Sequence, residues 1–142
     1  MSFCSSWIDY DKDGWQDIYI SNDKVQNKNI LYHNNQDGTF TDVAEATGTD
    51  VAIDAMSTTI GDYNNDGWLD IYVANTQEGN AFLQNNGDGT FTDVATTNGT
   101  LLESVAWSSV FLDADHDTDL DLYVSASAVS YTHLTLPTIL LV

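Results

Sequence analysis

Hydrophobic residues alternate with other residues in short segments along most of this chain, and the segments recur about every 50 residues. Three of them, each centred on a tyrosine, are residues 18–20, 71–73 and 122–124. Each is preceded by another such segment, at residues 3–8, 57–60 and 105–112. Alternation with a period of two is typical of β-strands. The pattern therefore predicts three pairs of strands, each pair joined by a short polar loop.

Two of the repeats continue into a second hairpin. A third strand is predicted at residues 29–32 and 80–83, and a fourth at residues 39–44 and 90–95, after Asp-Gly turns. Four antiparallel strands in about 50 residues is the size of one β-propeller blade. We therefore predict an all-β partial propeller of about two and a half four-stranded blades. The predicted units are blade 1 (1–46), blade 2 (47–98) and partial blade 3 (99–128).

The last residues of the chain depart from the repeat. Residues 129–142 look like the in-frame translation of a sequencing adapter, and we expect this tail to be non-native. The alternative is an irregular apolar strand at the C-terminus. Because a propeller usually closes with about four to eight blades, we expect the chain to be a fragment of a longer protein.

The loop between the first two strands of each repeat carries acidic residues at alternate positions. Numbered from the first aspartate, positions 1, 3, 5 and 9 are Asp9, Asp11, Asp13 and Asp17; Asp62, Asn64, Asp66 and Asp70; and Asp113, Asp115, Asp117 and Asp121. Calcium takes six to eight oxygen ligands, which a curled acidic loop can supply, whereas magnesium prefers fewer protein ligands. One such loop could be a turn that binds nothing. Three periodic copies predict calcium as the cofactor.

Two other loop positions refine this prediction. Position 12, where a helical calcium hand needs a glutamate, holds an apolar strand residue in each repeat: Ile20, Val73 and Val124. A helix–loop–helix hand is therefore rejected. Position 6 is Gly14 and Gly67 in the first two loops and Thr118 in the third. If position 6 needs a left-handed backbone, the β-branched Thr118 should be strained.

The charge of the chain excludes several partners. There are 22 acidic and 3 basic residues, for a net charge of −19. Nucleic acid and anionic membrane surfaces are disfavoured, because phosphate binding needs a basic patch. No apolar run approaches the roughly 20 residues of a membrane span, so we expect no membrane insertion. Cys4 is the only cysteine, which excludes an intrachain disulfide.

Aromatic residues at matching places in the repeats predict the core. Tyr19, Tyr72 and Tyr123 are expected to pack between neighbouring blades. Trp7 and Trp107 precede the acidic loops and are expected in the core of their strands. The tyrosine expectation rests on matching positions in the repeat, whereas the tryptophans precede their loops by two and six residues and are expected in the core as large apolar residues of predicted strands.

Residues that could carry other chemistry are few. Trp15 and Trp68 lie on the acidic loops, where packing is favoured over stacking on a sugar. His33 aligns with Gln84 and is expected to be an exposed polar residue and not a metal ligand. His116 occupies a non-ligand loop position. No catalytic triad, zinc spacing or phosphate-binding loop is present in the sequence, so we expect no enzyme activity.

The segments DYDKDGWQDIYISND and NILYHNNQDGTFTDVAEATG, residues 9–23 and 29–48, resemble the FG-GAP/VCBS-type repeat. These repeats form β-propeller blades in integrin α-subunits and in bacterial secreted proteins, including bacterial relatives of cartilage acidic protein. The resemblance covers about residues 2–128. It implies calcium ligands at the twelve loop positions, an extracellular, cell-surface or periplasmic location, and an unknown extracellular protein or glycan as partner.

Three functions agree with these features. The first is a binding or adhesion scaffold in which calcium is structural. The alternative is the propeller part of a secreted enzyme, a polysaccharide lyase or hydrolase, whose catalytic residues lie outside this chain; function does not follow from fold. The third and weaker interpretation is a calcium-buffering or matrix-building protein.

Overall fold

A computed structural model of the chain describes residues 2–76 and 79–127. The predicted non-native tail lies outside the described residues. The described chain forms three antiparallel sheets and one short helix. No helix in this part of the chain has both the length and the apolar character needed to span a membrane.

The sheets follow the order of the repeats. The first contains β1 (Ser2–Ile8), β2 (Asp17–Asn22), β3 (Ile30–Asn34) and β4 (Phe40–Asp42). The second contains β5 (Ser57–Gly61), β6 (Asp70–Ala74), β7 (Ala81–Asn85) and β8 (Phe91–Asp93). The third pairs β9 (Val105–Leu112) with β10 (Asp121–Ser127). The predicted all-β, partial propeller-like architecture is confirmed, while the blade boundaries remain predictions.

The fourth strand of each complete sheet is shorter than predicted. β4 and β8 end two residues early, at Asp42 and Asp93, and after β4 the chain turns into α1 (Ala44–Thr47). The Asp42 carboxylate accepts a hydrogen bond from the N–H of Ala44 at 3.1 Å, and Asp93 does the same for Ala95. An aspartate that bonds the backbone two residues ahead favours a turn over a strand.

The hydrophobic core lies between the sheets. One cluster joins the first and second sheets, and a second cluster joins the second and third sheets. Along β7, Phe82 belongs to the second cluster and its neighbour Leu83 to the first, because successive strand residues point to opposite faces. The second sheet is therefore buried on both faces, and its strand β6 has no exposed residue.

The tyrosine prediction is confirmed for the two complete sheets. Tyr19 and Tyr72 are fully buried, Tyr19 against the second sheet and Tyr72 against the third. Tyr123 is only half-buried, because it lies on the face of the third sheet opposite Leu122 and Val124. Burial of this repeated position therefore depends on whether a neighbouring sheet covers it.

The prediction that Trp7 and Trp107 lie in the core is wrong, since their side chains are 63% and 58% exposed. Trp7 pairs with Ile18 in the β1–β2 ladder and lies on the face of the sheet away from the core, while its neighbour Ile8 points into the core. Trp107 occupies the irregularity in the β9–β10 pairing, and its indole N–H donates to Ser127 Oγ at 3.1 Å. Large apolar side chains on the uncovered face of a sheet stay in contact with water.

Two tyrosine variants should separate packing from hydrogen bonding. Replacing Tyr19 with Phe should lower the free energy of unfolding by about 1–2 kcal/mol, because the Tyr19 hydroxyl accepts a hydrogen bond from buried Asn29 Nδ2 at 2.9 Å. Tyr72→Phe should be neutral or stabilising, because no described residue bonds the buried Tyr72 hydroxyl. Urea unfolding measures both variants. Equal losses in both would contradict the assignment.

Candidate metal-binding loops

Each acidic loop joins the first two strands of its sheet and is curled by two left-handed residues. Position 4 has φ of 58°, 56° and 66° in Lys12, Asn65 and His116, and position 6 has φ of 86°, 86° and 80° in Gly14, Gly67 and Thr118. The expected strain at Thr118 is therefore present, because a β-branched residue seldom adopts this backbone. The same curl in all three loops brings their alternate side chains to one side.

Hydrogen bonds orient the carboxylates in the same way in each loop. The position-1 carboxylate accepts the N–H of position 6 at 3.1, 2.8 and 3.1 Å in the three loops. The position-5 carboxylate accepts the N–H of position 7 at 2.8, 2.7 and 3.0 Å. A carboxylate has about four lone-pair sites. These bonds therefore fix the side chains and leave acceptor capacity for a cation.

The position-9 carboxylates tie the loop to the rest of the sheet. Asp17 is fully buried and accepts the N–H groups of Tyr10 at 3.3 Å and of Asn34 at 2.8 Å. Asp70, also fully buried, makes the matching bonds in the second sheet at 3.2 and 2.8 Å. Asp121 is half-buried. One carboxylate thus joins the loop, the strand that follows it and the next hairpin.

The structure gathers some of the predicted ligands more closely than others. Three groups have ligand atoms that all lie within 4.8 Å of one another: Asp9, Asp11 and Asp13; Asp113, Asp115 and Asp121; and Asp11, Asp17 and His33. Asp117 lies outside the second group, but its charge raises the pKa of the Asp115 carboxyl. Among the described residues no hydrogen-bond donor reaches the buried Asp9 Oδ1. An orphaned carboxylate oxygen inside an acidic cluster fits a hard cation.

The second loop is arranged more loosely. Asn64 Nδ2 donates to Asp66 Oδ2 at 2.8 Å, while Asn64 Oδ1 accepts the N–H of Asp66 at 3.2 Å. Asp62 and Asp70 complete the predicted set. In the part of the chain that the structure describes, the three carboxylates of this loop do not form a group within 4.8 Å. The amide at position 3 lowers the charge of this loop relative to the other two.

Neighbouring loops contact each other through positions 4 and 7. Lys12 Nζ lies 3.9 Å from the centroid of the Trp68 ring, a cation–π contact. Asn65 Nδ2 donates to Asp119 Oδ1 at 2.8 Å. Trp68 thus packs against the neighbouring loop as expected, whereas Trp15 is 49% exposed. The three loops form one continuous acidic edge.

The prediction that His33 is exposed is wrong. Its side chain is 27% exposed, and Nδ1 lies 3.5 Å from Asp11 Oδ2 and 3.4 Å from Asp17 Oδ1. The β2–β3 hairpin brings His33 over the first loop, where its ring packs edge-on against Tyr10 with centroids 6.0 Å apart. The position of His33 in the sequence relates it to this loop through the next residue, Asn34. The backbone N–H of Asn34 donates a hydrogen bond to the Asp17 carboxylate, which places His33 beside the loop.

Burial of the position-9 carboxyls gives a prediction about pH. Burial raises the pKa of Asp70 to about 6, and the same cause raises the pKa of Asp17. At Asp70 the folded metal-free chain then binds more protons than the unfolded chain does between about pH 4 and 6. Its stability should therefore fall as the pH rises through this window, by on the order of 2–3 kcal/mol from Asp70.

Urea unfolding in chelator at pH 4.5 and pH 7 measures this loss. Asp70→Asn cannot ionise, so the variant should show a smaller fall in stability than the unmodified chain. The other carboxylates contribute to the pH dependence of stability in both proteins. The difference between the two slopes of unfolding free energy against pH is therefore specific to Asp70. Equal slopes would contradict the raised pKa.

Stacked four-stranded sheets with curled acidic loops define a propeller-type repeat protein. Residues 9–73 and 62–124 each match the family described as FG-GAP-like repeat. The chain therefore belongs to the FG-GAP-like repeat family, which confirms the resemblance found in the sequence. It is also 33% identical over 119 residues to Cartilage acidic protein 1 of Xenopus tropicalis. That alignment covers 81% of this chain and 18% of the relative, so the chain spans under a fifth of the relative's length.

Proposed function

We propose that this chain is a calcium-binding repeat module that serves as an extracellular binding or adhesion scaffold, with calcium in a structural role. The observation that supports it is the threefold repetition of one loop geometry, with carboxylates held by the same backbone hydrogen bonds each time. The proposed ligands are Asp9, Asp11, Asp13 and Asp17; Asp62, Asn64, Asp66 and Asp70; and Asp113, Asp115, Asp117 and Asp121.

The chain's own residues explain why a cation would stabilise the fold. Positions 1, 3 and 5 lie on the loop, and position 9 is the first residue of the following strand. A cation held by all four would link the loop to the strand and reduce the repulsion among the carboxylates. Calcium supplies two positive charges and accepts irregular oxygen coordination.

The proposed location follows from the expected affinity. Acidic loops of extracellular modules bind calcium with dissociation constants of roughly 0.1–1 mM. Such sites fill where calcium is millimolar, which is the condition outside cells. The match to a protein named for cartilage agrees with this location. The partner we propose is an extracellular protein or glycan, bound without catalysis by this chain.

Calcium titration of the full chain by isothermal calorimetry or equilibrium dialysis tests the proposal. We expect up to three calcium ions per chain. Asp13→Asn, Asp66→Asn and Asp117→Asn, each at position 5 of one loop, should each weaken one site. Thr118→Gly should strengthen the third site, because glycine adopts the left-handed backbone without strain.

A matched control comes from a carboxylate outside the loops. Asp37 lies in an Asp-Gly hairpin turn and accepts hydrogen bonds from the N–H and hydroxyl of Thr39. Asp37→Asn removes one charge of the same kind and should leave all calcium sites unchanged. No binding at millimolar calcium, or equal weakening by Asp37→Asn, would reject the assignment.

A further inference from the structure

The first loop differs from the second in one donor atom. His33 on β3 occupies the place that Gln84 occupies on β7, since they pair with Thr41 and Thr92 in matching registers. Gln84 Oε1 is engaged by the Tyr63 hydroxyl at 3.0 Å. His33 instead places an imidazole nitrogen beside two carboxylates. Of the three groups of potential metal ligands among the described residues, only the one at the first loop therefore includes a nitrogen donor beside its oxygen donors.

We propose that Asp11, Asp17 and His33 form a binding site for a transition-metal dication of the Zn²⁺ type. The site goes beyond calcium binding, because His33 is outside the proposed calcium set. It rests in part on the proposed function, since Asp11 and Asp17 are shared. Zinc and calcium would then compete for the first loop, while the other two loops would take calcium alone.

The distances fit zinc coordination. Zinc binds histidine nitrogen and carboxylate oxygen at about 2.0–2.2 Å in tetrahedral geometry, which separates adjacent ligands by about 3.4 Å. His33 Nδ1 lies 3.4 Å from Asp17 Oδ1 and 3.5 Å from Asp11 Oδ2. The two nitrogen–oxygen separations therefore already match those of a filled site. All three ligand atoms lie within 4.8 Å of one another.

The ligand atoms are also oriented and available. His33 Nδ1 is buried and has no hydrogen-bond partner among the described residues. Asp11 is held through its other oxygen, Oδ1, which accepts the N–H of Asp13 at 3.2 Å. Asp17 is fixed by the N–H groups of Asn34 and Tyr10. Such supporting bonds hold metal ligands in place before the metal arrives.

The chemistry of the donors sets the class of metal. Calcium and magnesium prefer oxygen ligands, whereas imidazole suits zinc, copper and nickel. A protonated His33 that simply pairs with Asp11 and Asp17 is the competing explanation of the same distances. The two explanations differ in whether zinc binds at Nδ1, which can be measured directly.

Zinc titration of the full chain against a chromogenic zinc chelator, with millimolar calcium present, provides the test. We expect one zinc ion per chain whose binding depends on His33. His33→Gln, which installs the residue of the second repeat, should weaken zinc binding at least tenfold. The matched control His116→Gln, on the exposed third loop, should leave zinc affinity unchanged.

A second measurement uses the unmodified chain. Nitrogen-15 NMR should show a zinc-induced shift at Nδ1 of His33 and none at His116. Unchanged zinc affinity in His33→Gln, absence of the Nδ1 shift, or full displacement of zinc by millimolar calcium would overturn the inference. The NMR result decides even if His33→Gln fails to fold.

Failure of this inference can be told apart from failure of the calcium proposal. A chain that binds calcium and no zinc would overturn the zinc site alone. A chain that binds zinc through His33 and no calcium would overturn the calcium scaffold alone. His33→Gln should retain calcium binding in all three loops.

Discussion

Adding 10 mM calcium to the metal-free chain should raise the midpoint of thermal unfolding by more than about 10 °C. A site with a dissociation constant of roughly 0.1–1 mM contributes about 1.4–2.7 kcal/mol at this concentration. Three such sites together contribute about 4–8 kcal/mol, which for a domain of this size is a shift of that order. Circular dichroism melts in calcium, magnesium and chelator measure it.

The expected order of the midpoints is calcium above magnesium above chelator. Magnesium should give the smaller shift, because it requires a strict octahedral arrangement of ligands that the irregular loops do not offer. The variant with Asn at position 5 of every loop should lose most of the calcium shift, and Asp37→Asn should keep it. A folded chain with the same midpoint in calcium and in chelator would show that the acidic loops are turns and not metal sites.

Truncating Phe82 or Leu83 should destabilise different parts of the molecule, although the two residues are adjacent in β7. Phe82→Ala should cost about 3–5 kcal/mol and Leu83→Ala about 2–5 kcal/mol, because each leaves a cavity between sheets. The Phe82 ring packs against Tyr72 and Phe111, with centroids 5.6 and 5.9 Å apart. Leu83 is fully buried in the cluster that faces the first sheet.

Hydrogen exchange read by mass spectrometry distinguishes the two variants. In stacked repeats each unit is stabilised mainly by its neighbours. Phe82→Ala should therefore speed exchange most in β9 and β10, and Leu83→Ala in β1 to β3. Val110→Ala, at an exposed position of β9, is the control and should change stability by less than about 0.5 kcal/mol. Uniform loss of protection in both variants would contradict separate interfaces.

The strands and loops were predictable because they depend on local pattern. Alternation around Tyr19 and Tyr72 identified β2 and β6, and the repeated Asp-Gly turns identified the second hairpin of each complete sheet. The acidic loops could be identified from the spacing of acidic residues at alternate positions of the sequence. These features need no knowledge of which sheet packs against which.

The errors arose where tertiary contacts decide. Trp7 and Trp107 have core composition, but exposure depends on whether a neighbouring sheet covers their face. His33 looked peripheral because the residues that surround it come from the loop of another hairpin. The shortened β4 reflects competition by the Asp42 side chain for the backbone. Whether the twelve loop residues bind a cation stays a prediction from sequence and geometry.

The two inter-sheet contacts have a consequence for how such a chain evolves. Tyr19 fills the first contact and Tyr72 fills the second, at matching places in the repeat. A gene segment that encodes one repeat therefore carries both a surface that covers the preceding sheet and a surface that the next sheet covers. Tandem duplication of that segment creates a working interface in a single event. The acidic loops at the edge can then differ from one repeat to the next, as Thr118 at the position of Gly14 and Gly67 illustrates.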